Sequence, residues 1–286
     1  MVEFIQQIIN GLIIGSTYSL VALGIALIFG IMHIPNFSLG ALFMIGAILA
    51  YYVVNWLGTS LYLLALPVAM VIAAVLGGLT EKYAFRKVKD GPHASGFIVA
   101  LAVYMILEGG SVVLFGDYWR DVPSPYTAIN VNLGTTQLTL QRLLIFVLAV
   151  ILSIGVYLFI MKTMTGKMIR AMSQNPDAAC LMGINVDRMS MFVFAIGGSL
   201  AAATGVLIAP TFMVAPPMGL LPVTKAFVVV ILGGMGSMRG AILGGFILGM
   251  VEAMGMAYVS SMYRDAFVFG ILVIVLIFKP TGLFRR

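Results

Sequence analysis

Nine apolar stretches, set apart by polar links, decide what this chain can become. They run over residues 4–31, 37–57, 60–82, 95–116, 140–161, 189–208, 223–237, 241–259 and 264–278. About 20 apolar residues let an α-helix cross a hydrocarbon core of about 30 Å, where backbone N–H and C=O groups must pair within the protein. The seventh stretch holds about 15 residues, or about 22 Å of helix. It is read as tilted, broken or a re-entrant half-helix, which leaves eight or nine crossings.

Composition excludes the soluble alternative. Residues of hydrophobic type make up 62% of the chain and charged ones 9%, against about 25% charged in an ordinary globular domain. The expected fold is an all-α polytopic membrane protein, one transmembrane domain over residues 1–286 with no separable soluble part. Its longest polar stretches are 117–139 and 162–188. The opening Met1-Val2-Glu3-Phe4 has no basic n-region, so the first stretch is expected to stay as a span and not to be cleaved.

The 16 Lys and Arg residues divide unevenly between the two sides. Lys82, Arg86, Lys87, Lys89, Lys162, Lys167, Arg170, Arg188, Arg239, Lys279, Arg285 and Arg286 fall on one side. Arg120, Arg142, Lys225 and Arg264 fall on the other. The positive-inside bias assigns the larger set to the cytoplasm. Nine crossings then place the N-terminus outside, the C-terminus inside, loop 117–139 outside and loop 162–188 inside. Tyr51, Tyr52, Trp56, Tyr62, Tyr118, Trp119 and Tyr263 fall at the outer edge as an interfacial belt. Pro123, Pro125, Asn130, Asn132 and Gly134 mark the outer stretch as a turn-rich loop.

Enzyme chemistry finds no foothold. Gly166-Lys167-Met168 lacks the upstream Gly and following Ser/Thr of a phosphate-binding loop, so no nucleotide cofactor is expected on this chain. Cys180 is the one cysteine, and His33 and His93 are far apart, so no metal site is expected. The net charge of +6 has no basic cluster interleaved with aromatics, which argues against nucleic acid and fits cytoplasmic loops of a membrane protein.

Three features carry functional expectations. Glu108 and Glu252 fall inside spans, where an unpaired charge is costly. They serve either a translocation path or proton relay, or an interhelical hydrogen bond facing the bundle interior. Lys225, at the outer start of the seventh stretch, is either a path residue or a snorkelling anchor. The polar break holding His33, Asn36 and Ser38 has a weak echo in Leu232–Ala241. Such paired breaks mark either a midplane transport site or ordinary links between spans.

The third feature lies in loop 162–188. Asn175-Pro176 supplies an N-cap and a first-turn proline, Asp177 suits the helix start, and Gly183 supplies a stop. Between them Ala178, Ala179, Cys180, Leu181 and Met182 form a short helix too apolar to lie bare. It is covered by a protein partner or packs on the chain's own cytoplasmic face.

Asp177-Ala-Ala-Cys-Leu-Met-Gly183 resembles the EAA-x3-Gly cytoplasmic loop of ABC importer permeases, with Asp in place of Glu. Asn36-Phe-Ser-Leu-Gly40, Arg170 through Arg188, Gly233-Gly-Met-Gly-Ser237 with Gly240-Ala241, Tyr263-Arg-Asp265, and Lys279-Pro-Thr-Gly-Leu-Phe284 together resemble the LivH-type permeases of high-affinity branched-chain amino acid uptake. The resemblance implies a multi-pass subunit of the bacterial inner membrane. It implies pairing with a second related permease, two ATP-binding cassette subunits docked on Pro176, Asp177, Ala178, Ala179, Leu181 and Gly183, and a periplasmic substrate-binding protein. Rival readings are a stand-alone carrier that uses Glu108 or Glu252 for proton coupling, and a channel for a small solute such as urea.

Overall fold

The computed structural model describes residues 2–88, 91–133, 136–279 and 281–284; Lys89, Gly134, Pro280, Arg285 and Arg286 lie outside the described residues. The helices are α1 (Val2–Met32), α2 (Ser38–Leu57), α3 (Ala65–Tyr83), α4 (His93–Phe115), α5 (Leu140–Lys162), α6 (Met164–Gln174), α7 (Pro176–Leu181), α8 (Val186–Ile208), α9 (Leu220–Gly233), α10 (Met238–Tyr258) and α11 (Arg264–Phe278). Nine helical segments among the described residues are long and apolar enough to cross a bilayer. The chain is an all-α polytopic membrane protein.

α1 forms the axis. Its residues 15–28 are buried on every face, and α10, α8, α9 and α5 pack around it. α11, α4, α5 and α3 are largely exposed along their lengths, so apolar side chains such as Val113, Ile106 and Ile277 point outward. That inversion is what a lipid solvent permits, because lipid tails are as apolar as the side chains they meet.

Close helix approach rests on small residues. At the α2–α8 crossing, Gly205 lies so near the Phe43 carbonyl oxygen that an added methyl would overlap it, and Gly46 meets Ala202 in the same way. Along α1, Gly11 and Gly15 face Gly249 and Gly245 of α10, and Ser19 Oγ donates to the Ile242 carbonyl at 2.8 Å.

The seventh apolar stretch has a specific form. α9 is a 14-residue helix, about 21 Å long, preceded by a 3-10 turn over Pro216–Gly219. It begins inside the bundle. Buried Gly219 lies against Gly40 near the start of α2, and the Phe227 ring sits 5.7 Å from Phe37. The break ahead of α2 and the break ahead of α9 therefore meet in space. The Leu232–Ala241 turn, with Gly234 at φ 96° and Gly236 at φ 82°, touches Gly30 at the far end of α1 instead.

The two polar loops are more ordered than expected. Within 117–139, strands β1 (Asn130–Leu133) and β2 (Thr136–Thr139) form an antiparallel hairpin. Arg120 forms an isolated bridge with Val214. Its guanidinium lies over the Tyr51 and Tyr52 rings at 5.2 and 5.8 Å. Within 162–188, α6 buries Ile169 and Met172 and leads directly into α7. At the same end of the bundle Arg86 pairs with Glu81 at 2.7 Å and lies 3.9 Å from Asp187, which joins the end of α3 to the start of α8.

Candidate functional site

Four charges from three helices meet at one point. Lys225 of α9 places Nζ 3.0 Å from Glu252 Oε1 of α10 and 2.7 Å from Asp265 Oδ1 of α11. Arg264, one residue ahead of Asp265, donates through Nε to the same Glu252 oxygen. The Glu252 side chain is wholly buried and that of Lys225 nearly so, whereas Asp265 is 54% exposed. Tyr18 of α1 closes the group from the axis, its ring centroid 6.0 Å from Lys225 Nζ. At about 3 Å and an effective dielectric of about 20, a unit pair attracts by about 5 kcal/mol, set against a cost of several kcal/mol to desolvate each ion. Two cations against two anions leave the cluster neutral. Glu252 Oε2 has no hydrogen-bond partner among the described residues.

Lys225 is thus no snorkelling anchor. Acids on α10 and α11 hold its ammonium inside the protein, an arrangement invisible from its position at the start of an apolar stretch. Glu252 bonds across helices, to Lys225 of α9 and Arg264 of α11. It lies six residues before α10 ends at Tyr258.

Beside the cluster lies a cavity of about 610 Å³. It is lined from the starts of α1, α5, α9 and α11 and from the closing turns of α8 and α10. Lys225, Arg264 and Asp265 face it together with Thr17 and Tyr18, and Ile13, Val21, Ile145 and Ile208 form apolar wall.

The remaining path candidates lie elsewhere. Glu108 is half-buried on α4 and does not line the cavity. It is not the fully interior residue expected, because α4 packs by one narrow face only. His33 is exposed at φ 55°, with its ring 6.0 Å from Phe29. Asn36 Oδ1 accepts from Ser38 N at 3.0 Å and from Ser38 Oγ at 2.6 Å, so this pair shapes the start of α2.

The short helix in loop 162–188 forms as its caps dictate. Asn175 Oδ1 accepts from Ala178 N at 2.9 Å, Pro176 and Asp177 occupy the first turn, and Gly183 follows at φ 83°. Ala179 faces inward and is buried at 5% exposure, while Leu181 and Met182 stand out at 89% and 83%. The helix thus packs on the chain's own face through Ala179 only. The two large apolar residues have no cover from it.

Sequence reasoning did not single out Tyr18, Arg264 or Asp265 as site residues. A usable signal was present: an Arg-Asp pair opening one apolar span, with a lone Lys and a lone Glu inside two others.

Nine apolar helices among the described residues, a charged cavity at one end and an exposed apolar face on α7 are the features of a polytopic membrane protein. The chain belongs to the family described as branched-chain amino acid transport system / permease component, whose family model matches residues 7–276. It is 31% identical to the high-affinity branched-chain amino acid transport system permease protein BraD of Pseudomonas aeruginosa, over 99% of this chain and 96% of that protein. It is 33% and 32% identical to the LivH permease proteins of Salmonella typhimurium and Escherichia coli, with the same 99% and 96% coverage. No solved structure matches the chain.

Proposed function

We propose that this chain is the transmembrane subunit of an ATP-driven importer that carries branched-chain or other aliphatic amino acids across the bacterial inner membrane. It pairs with a second related permease, receives substrate from a periplasmic binding protein, and is driven by two ATP-binding cassette subunits. The start of α1 lies outside and the C-terminus inside. The chain itself binds no nucleotide or metal. Support for the substrate comes from relatives named for branched-chain amino acid transport.

The observation that carries the coupling role is the outward face of α7. Leu181 and Met182 project from a capped helix in the loop that carries Lys162, Lys167, Arg170 and Arg188. Burying two such side chains in a partner groove is worth about 1.5–3 kcal/mol each. ATP hydrolysis in the docked subunits would move α7, and through α6 and α8 the bundle above it.

The test is Leu181→Arg. Ala179, the small residue expected to enter the partner groove, is unsuitable, because an arginine there would disrupt the chain's own packing. Leu181→Arg should insert and pair with the second permease normally. It should lose the ATPase subunits on purification in mild detergent, and uptake with them. Retention of both at wild-type level refutes α7 as the docking element.

A further inference from the structure

We infer that the cavity beside Lys225, Arg264 and Asp265 is a binding site within the permease for a zwitterionic aliphatic α-amino acid, the anchor being the Lys225–Asp265 pair. This rests on the amino-acid importer reading and adds a site to it.

The argument is one of charge and shape. An aliphatic α-amino acid presents a carboxylate, an ammonium and a branched apolar group within a few ångströms. The cavity offers a match for each. Asp265 is the exposed acid of the cluster, open to an incoming ammonium, while Lys225 and Arg264 are its cations; Arg142, bonded to Asn10 Oδ1 at 3.2 Å, is a third cation on the cavity lining, outside the cluster. Ile13, Val21, Ile145 and Ile208 supply apolar wall. Lys225 Nζ and Asp265 Oδ1 are 2.7 Å apart, so an amino acid can insert head to tail, its carboxylate on Lys225 and Arg264 and its ammonium on Asp265.

Buried Glu252 makes the exchange neutral. Bound on its other side to Lys225 and Arg264, it keeps both cations partnered when Lys225 releases Asp265. Before insertion the cluster holds two cations and two anions; afterwards it holds three of each. A carboxylate or an ammonium alone would add one uncompensated charge beside the buried Lys225–Glu252 pair, which is disfavoured. Selectivity for the zwitterion over either half follows from this arithmetic. The apolar wall selects the aliphatic side chain.

The experiment measures binding of tritiated L-leucine to the wild-type permease assembly in nanodiscs, without the binding protein. Competitors are unlabelled L-leucine, 4-methylpentanoate, which lacks the ammonium, and 3-methylbutylamine, which lacks the carboxylate. The site predicts displacement by leucine, with each single-charge analogue at least about tenfold weaker. Asp265→Asn should weaken leucine binding by about a hundredfold. The competition series needs no variant, so a folding defect in Asp265→Asn cannot obscure it. Equal competition by either analogue, unaltered binding by Asp265→Asn, or no leucine binding by wild type overturns the site. Leucine uptake by the complete assembly is measured in parallel. Uptake without permease binding refutes the site and leaves the importer reading standing; absence of uptake refutes that reading as well.

Discussion

The Tyr62 hydroxyl donates to the Val206 backbone carbonyl at 2.6 Å, tying the turn before α3 to the last turn of α8. The final carbonyls of a helix have no partner within it, and here side chains supply them. Gln141 Nε2 donates to the adjacent Leu207 carbonyl at 3.1 Å and to Tyr62 Oη at 3.3 Å. Its Oε1 accepts from Ser124 Oγ at 3.0 Å. One buried glutamine thus joins the 117–139 loop, the start of α5 and the end of α8.

Tyr62→Phe should lower stability by about 1–2 kcal/mol, since it strands a buried carbonyl. Gln141→Leu should cost more, because it strands partners on two sides. The double variant should fall short of the sum, as expected within one network. Chemical unfolding in mild detergent checks all three, and an unchanged midpoint for Tyr62→Phe refutes the capping role.

Glu252→Gln leaves Lys225 and Arg264 facing Asp265 alone. Breaking a buried pair from one side costs about 3–5 kcal/mol, so this variant and Lys225→Met should each be strongly destabilised. The Lys225→Met/Glu252→Gln double variant removes one charge of each sign and should be more stable than the weaker single. Thermal unfolding in detergent measures the order; a double variant at the sum of the singles contradicts the pairing.

Gly205→Val should prevent α2 and α8 from closing and yield little monodisperse protein, because its side chain would enter the Phe43 carbonyl. Gly109→Ala, on α4 where a methyl meets open space, should fold normally and gain slightly in helix propensity. Size-exclusion profiles of the two distinguish packing from a general intolerance of glycine replacement.

Orientation is checked by cysteine labelling in a Cys180→Ala background. Lys167→Cys should react only from the cytoplasm and Ala128→Cys only from outside. Ala128 is the better outer reporter than Tyr126, which is half-buried with its ring 6.4 Å from that of Tyr62. Labelling of both from one side would overturn the assigned topology.

Span positions were legible because hydrophobic length is a local property: the expected 140–161 became Leu140–Lys162, and 189–208 became Val186–Ile208. The α7 caps were legible for the same reason, since Asn175, Pro176 and Gly183 act on neighbouring backbone. The hairpin at Asn130–Leu133 was not, because its short alternation is submerged among turn-forming residues. The charge cluster was least legible. Lys225 and Glu252 lie on separate helices, 27 residues apart, and only the packing of α9 and α10 against α1 brings them together. Glu252 could be recognised as buried from its span, but its partners could not.

The burial of α1 also bears on how the protein is made. The axis precedes the helices that enclose it, α8 and α10, by more than 150 residues of chain. Until those helices emerge, α1 must wait in lipid carrying three serine and threonine hydroxyls as well as the Tyr18 phenol. The three aliphatic hydroxyls are provided for. Each has a partner within its own helix: Ser16 on Ile13, Thr17 on Ile14 and Ser19 on Gly15. Such bonds spare a lone span the cost of bare polar groups in hydrocarbon. Only Ser19 then also reaches across, to Ile242, once α10 arrives. The sequence of α1 therefore suits two environments in succession, solitary in the bilayer during translation and enclosed at the centre afterwards.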